Sequence, residues 1–112
     1  MSTFVCVESG KLIGFVDFDK CRDNDCDETI GEVWAIYVRP EFIGNHIGKT
    51  LFSMSMKALS QKGFKEATVW VLSDNMLARA FYERQGFKTD GKTKAYQGLP
   101  EVRYRKTIEP TI

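Results

Sequence analysis

The chain has 112 residues, of which 43% are hydrophobic and 28% charged, with a formal net charge of +1. That length leaves room for one domain, residues 1–112, and the near-neutral balance gives no general pull toward nucleic acid or an anionic membrane. No apolar run approaches the roughly 18 residues of a membrane span. No signal-peptide pattern opens the chain, and three cysteines (Cys6, Cys21, Cys26) point to reduced thiols in the cytoplasm rather than a disulfide framework.

In chain order, "FVCVESGKLIGFVDF" reads as a β-hairpin, with apolar residues on both arms and Ser9-Gly10 as the tight turn. Residues 19–31, "DKCRDNDCDETIG", are acidic and turn-rich and read as a solvated loop. "EVWAIYV", Glu32 to Val38, is a nearly continuous apolar strand ended by Pro40. From Ile47 the period changes. Ile47, Leu51, Met54 and Ala58 recur at helical spacing, and Gly63 closes the helix. "EATVWVL", Glu66 to Leu72, is a second buried strand, so strand, helix and strand predict a parallel pair with a right-handed crossover. Asp74 or Asn75 can cap a second helix whose inner face carries Ala78, Phe81, Tyr82 and Gln85, with Gly86 as its stop. Two strands remain, Phe87–Tyr96 and Val102–Thr107, bent around Gly98-Leu99-Pro100. Tyr104 to Lys106 and the lysines near 88–94 are expected on exposed strand faces.

No metal site emerges. Asp23, Asp25 and Asp27 begin like a calcium loop, but Glu28 stands where glycine is obligatory and Trp34 where the closing glutamate belongs. Cys21 and Cys26 lack the second cluster of a zinc site, and His46 is the sole histidine. The stretch "PEFIGNHIGKTL", Pro40 to Leu51, has the form of a loop whose amides meet an anion at a helix start.

This order of elements, with "IYVRPEFIGNHIGKTL" and "NMLARAFYERQGF", resembles the C-terminal three-quarters of the GNAT family of acetyl-CoA-dependent N-acetyltransferases, from about residue 4 to residue 106. The resemblance implies an α/β (α+β) fold: a mixed, mostly antiparallel sheet with a central parallel pair and two flanking helices, in the order β-β-β-α-β-α-β-β. It implies acetyl-CoA as co-substrate and a small-molecule or peptide amine as acceptor. The pyrophosphate would sit on Gly44, Asn45, His46, Ile47, Gly48 and Lys49. Here the family pattern is broken twice, at Ile43, where arginine or glutamine is usual, and at His46, where a Cβ stands at the family's glycine position, while Gly48 matches. Ile36, Tyr37 and Val38 would offer backbone groups to the pantetheine arm and thioester, as a strand offers them to an added peptide. Asn75 would cap the second helix, contact the cofactor, or both.

Acetyl transfer needs a neutral amine, a polarised carbonyl and a proton for the departing thiolate. Tyr82 matches the family tyrosine that protonates that sulfur. The glutamate that some members carry five residues before the asparagine is replaced by Trp70, which leaves Glu32, aligned with the base of histone-type members, or an ordered water. Glu32 is expected to share a strand face with Trp34, Ile36 and Val38. The family fold usually opens with a strand and one or two helices before the hairpin. Without them an edge and an apolar face would be bare, and a second copy is expected to cover them as a homodimer. The alternative reading is a non-catalytic module that binds acyl-CoA or a protein partner.

Overall fold

The computed structural model describes residues 1–109. Six strands form one sheet: β1 (Ser2–Glu8), β2 (Lys11–Lys20), β3 (Ile30–Val38), β4 (Glu66–Leu72), β5 (Lys88–Tyr96) and β6 (Leu99–Thr107), arranged β1-β2-β3-β4-β6-β5. Two helices, α1 (Ile47–Gln61) and α2 (Met76–Arg84), complete the fold, and a 3₁₀ turn, Pro40–Phe42, follows β3. The mixed sheet and the element order agree with the expectation. Among the described residues no helix is long and apolar enough to cross a membrane.

Both hairpins close through two-residue turns. Ser9 and Gly10 have φ of 51° and 79°, as do Gln97 and Gly98, the left-handed pair whose twist matches that of the flanking strands. The last turn is therefore tighter than expected, and Leu99 and Pro100 already belong to β6, with Pro100 opposite Ala95.

Helices α1 and α2 lie on one face of the sheet. Between them and the sheet sit Val16, Phe18, Val33, Leu51, Phe52, Leu59, Val69, Tyr82, Phe87 and Tyr104. Phe52 is the pivot: its ring lies 5.5 Å from Phe81, 5.6 Å from Tyr82 and 5.5 Å from Phe87. Aromatic contacts of this kind supply stabilisation beyond the area they bury. The inner face of α1 is Leu51, Phe52, Ser55 and Leu59, with Met54 exposed, so it is rotated from the expected stripe. Tyr104, expected at the surface, is fully buried, because alternation along β6 turns it to the helices and Arg103 and Arg105 away. The chain also passes very close at Gly31, where an added Cβ would lie 2.9 Å from Leu59 Cδ2.

The other face is covered by the segment expected to be solvated. Residues 21–29 fold over β4 and β6 and are held by Arg103, which pairs with Asp23 at 3.0 Å, Asp25 at 2.7 Å and Asp90 at 2.7 Å. Asp23 also accepts the Trp70 indole N–H at 2.9 Å. The Arg103 guanidinium holds the Asp25 carboxyl well below the usual carboxylate range. Cys21, Asp23 and Cys26 place their ligand atoms within 4.8 Å of one another. The same Arg103 Nη1 that binds Asp23 also lies 3.7 Å from Cys26 Sγ, a cation beside two of the three groups.

Candidate functional site

Strand β3 carries the feature that shapes the site. It pairs in parallel with β4 only from Ile30↔Glu66 to Val33↔Val69. On its other side the register against β2 jumps from Phe18↔Val33 to Asp17↔Ala35, leaving Trp34 as an extra residue. This β-bulge resets the alternation and bends the strand. Val33 faces the core before the bulge, and Ile36 and Val38 face the helices after it. Beyond the bulge β3 and β4 share no pairing, so the two central strands part and leave edge groups free between them.

The parting opens into a cleft of about 1010 Å³ between the end of β3, the loop before α1, and α2. Ile36, Val38, Gly44, His46, Ile47, Gly48, Lys49, Asn75 and Tyr82 all line it. Residues separated by up to 46 positions in sequence, Ile36 and Tyr82, thus share one wall system.

At its loop end the cleft is bordered by backbone N–H groups. Ile43 N–H donates to Pro40 O at 3.2 Å and Asn45 N–H to Phe42 O at 3.2 Å, which fixes the loop. The N–H groups of Gly44, His46, Ile47, Gly48 and Lys49 have no acceptor among the described residues. Three of them lie in the first turn of a 15-residue helix and His46 is its N-cap, where the aligned peptide dipoles also favour an anion. A Cβ on Gly48 would meet only Val38 Cγ2, at 3.6 Å, and one on Gly44 nothing within 4 Å, so the loop is uncrowded at both glycines. Gly44 and His46 take φ of +99° and +63° to aim the loop. For histidine that left-handed conformation costs on the order of 1 kcal/mol.

At the other end stands Tyr82. Its ring is packed in the aromatic cluster, and its hydroxyl makes no hydrogen bond to the described residues. Burial pushes its pKa up to about 12, so the phenol is a neutral donor throughout the physiological range. The sign is therefore fixed. Folding stability from the neutral phenol is complete below pH about 10, the unfolded value, and is lost as pH rises from there through about 12. In a titration of phenolate absorbance, Tyr82 should ionise only near pH 12. Asn75 caps α2, its Oδ1 accepting from Ala78 N–H at 3.1 Å while the residue borders the cleft.

Three predicted residues lie elsewhere. Tyr37 points to the opposite face, 5.9 Å from the Phe15 ring, because it alternates with Ile36 and Val38. Asn45 is absent from the lining, and its amide serves the loop turn. Glu32 does not share a face with Ile36 and Val38, since the bulge at Trp34 intervenes. It is buried and held by Arg22, Oε1 accepting from the backbone N–H at 3.0 Å and Oε2 from Nη2 at 3.1 Å. The sequence reading also missed residues of α2: Leu77, Phe81 and Arg84 border the cleft. Their spacing of four and three marks a second helical stripe, beside the one that carries Tyr82.

The geometry defines a class: an α/β protein with parted central strands, unpaired amides at a helix start and a buried phenol on one cleft. The sequence model of the Acetyltransferase (GNAT) family matches residues 1–87, and the chain belongs to that family. It is 35% identical over 86 residues to a mycothiol acetyltransferase of Streptomyces bingchenggensis, covering 77% of this chain and 27% of that one. To a spermidine N(1)-acetyltransferase of Thermoplasma acidophilum it is 32% identical over 83 residues, covering 71% and 48%. The chain thus spans less than half the length of these relatives. Among solved structures, the PaiA N-acetyltransferase of Thermoplasma acidophilum in complex with coenzyme A superposes with a TM-score of 0.77 at 24% identity, covering 94% and 59%. The ribosomal-protein-S18-alanine N-acetyltransferase of Escherichia coli gives 0.78 at 18%, covering 98% and 70%.

His46 offers a direct check of the loop. His46→Gly relieves about 1 kcal/mol of left-handed strain, partly offset by the greater freedom of glycine in the unfolded chain. Its melting temperature should stay level or rise slightly. The further rise on adding acetyl-CoA should exceed that of the parent protein, since the Cβ beside the amides is gone.

Proposed function

We propose that this chain binds acetyl-CoA in the cleft and transfers the acetyl group to a primary amine by direct attack. The observation that carries this reading is that the unpaired amides of Gly44, His46, Ile47, Gly48 and Lys49 belong to residues lining the same cleft as Tyr82. In this reading the amides of Gly44, His46, Ile47, Gly48 and Lys49 receive the pyrophosphate, with Lys49 and Arg84 as nearby cations. The free edge of β3 at Ile36 and Val38 holds the extended arm. Acetyl-CoA supplies the activated thioester. The amine nitrogen bonds to the carbonyl carbon, the C–S bond breaks, and the Tyr82 O–H gives its proton to the departing sulfur. The proton lost by the amine passes to water, because Glu32 is committed to Arg22. The Glu32 carboxylate is a positioning group in this scheme, fixing Arg22 at the start of the covering segment.

The reading extends to assembly. The β5 edge is guarded by Lys88, Lys92 and Lys94, whereas the β1 edge has neither lysine nor proline and exposes Thr3, Val5 and Val7. An unguarded strand of this kind is a template for pairing. We infer a homodimer through antiparallel β1 edges, in the cytoplasm. Sedimentation showing a monomer at micromolar concentration overturns the dimer and leaves the chemistry untouched.

The test of the chemistry is thermal melting with and without acetyl-CoA. Binding raises the melting temperature in proportion to RT ln(1 + [L]/Kd). No rise at millimolar ligand overturns the proposal. A rise without thiol release across an amine panel leaves only a non-catalytic acyl-CoA module.

A further inference from the structure

Where β3 and β4 part, the residue after the last pair is tryptophan on both strands, Trp34 after Val33 and Trp70 after Val69. Both indoles lie on the face away from the helices. Trp34 Nε1 donates to Lys20 O at 3.1 Å, and Trp70 Nε1 to Asp23 at 2.9 Å. The helix face of the parting is taken up by Tyr82 and the cleft, so an incoming amine must reach the gap from the indole side.

Each indole already carries a cation. The Arg22 guanidinium stands 4.2 Å over the Trp34 ring, and Lys94 Nζ 4.3 Å over the Trp70 ring. The acids paired with them are turned inward. Arg22 has a side-chain exposure of 54% against 2% for Glu32, and Lys94 42% against 14% for Glu101, a loose pair at 4.0 Å. Of the remaining acids of this face, Glu66 pairs with Arg105, Asp19 pairs with the N-terminal ammonium, Asp17 accepts from Thr3 Oγ1, and Asp23, Asp25 and Asp90 converge on Arg103. Asp25 is the most open of them, yet both its oxygens accept from that guanidinium. Two outward cations on two aromatic planes thus flank the approach.

Resting on the acetyltransferase reading above, we propose that the acceptor is a primary amine that also bears a carboxylate, an α-amino acid or the like. Its carboxylate is bound by Arg22 and Lys94 and its hydrocarbon part lies on Trp34 and Trp70. Guanidinium recognises carboxylate through two parallel N–H donors, and a planar indole holds apolar groups while orienting the cations. The same pair of charges turns away an acceptor that is cationic throughout, such as a linear polyamine.

The experiment compares kcat/KM at saturating acetyl-CoA for phenylalanine and glutamate, for their α-carboxamides, and for putrescine. At least one amino acid should exceed its carboxamide by roughly 10-fold or more, the scale of a lost charge-assisted hydrogen bond. The amine of a carboxamide is the less basic, so free-base concentration biases the comparison the other way. Lys94→Glu should cut the rate with that amino acid roughly 10-fold and raise that with putrescine. Because the variant must gain with one substrate while losing with another, misfolding cannot mimic it. Equal or better turnover of the carboxamides or putrescine by the parent protein overturns the acceptor class, as does an unchanged ratio in Lys94→Glu. Failure to acetylate either amino acid while acetyl-CoA still raises the melting temperature also overturns the acceptor class alone. Loss of that melting response overturns the parent reading, and this inference with it.

Discussion

Tyr82→Phe should melt at the temperature of the parent protein and acetylate about 100-fold more slowly or worse. The two halves of that result separate a proton donor from a core residue. The Tyr82 ring packs against Phe52, Phe81, Phe87 and Tyr104, and phenylalanine keeps every one of those contacts. The hydroxyl makes no bond to the described residues, so its removal leaves no orphaned partner and folding stability should change by less than about 0.5 kcal/mol. General acid catalysis by a positioned side chain is worth roughly 10²–10⁴ in rate. If Tyr82 protonates the departing thiolate, kcat and kcat/KM fall together while the acetyl-CoA-induced rise in melting temperature persists. Thiol release measured against a single-turnover control reads the rate, and calorimetry reads the stability. A variant of full rate would remove Tyr82 from the chemistry and leave it as packing.

Arg103→Met should cause the largest loss of stability, about 3 kcal/mol, or roughly 10–20 °C in melting temperature. Methionine preserves the stem of the side chain but abandons three carboxylates that converge on one guanidinium, and Asp23 and Asp90 are themselves largely buried. Breaking one partner of such a cluster leaves uncompensated charge, and the penalty lies at the low end of the range here because Asp25 is half open to water. The pH dependence identifies the cause. Pairing lowers the folded-state pKa of Asp25, so its contribution is present above the unfolded value near 3.9 and is lost as pH falls below it. The gap in stability between parent and Arg103→Met, measured by urea unfolding, should therefore narrow from neutral pH toward pH 3. A gap that stays constant would assign the loss to packing over Trp70 instead.

The separation between what could be read from residue order and what required the folded chain follows the range of the forces involved. Strands and helices declare themselves over a few residues: the apolar run in "EATVWVL" placed β4 at Glu66–Leu72, and Asn75, one of two candidates, caps α2. The turn leading into α1 and the place of Tyr82 on the inner face of α2 were also legible, because a helix start and a helical stripe are set by local spacing. Nothing local marks the bulge at Trp34. It exists because Asp17 and Phe18 pair with Ala35 and Val33, a matter of register between strands, and it moved Glu32 off the face of Ile36 and Val38. Nor does the acidic run 19–31 say that it will be folded down. Arg103 and Asp23 lie 80 residues apart, and only the sheet that turns Arg103 toward that face joins them. Local propensity thus wrote the elements and the loop before α1, while the bulge, the Arg103 cluster and the charge at the mouth of the parted strands arose from contacts between distant segments, whose geometry no short window of sequence contains.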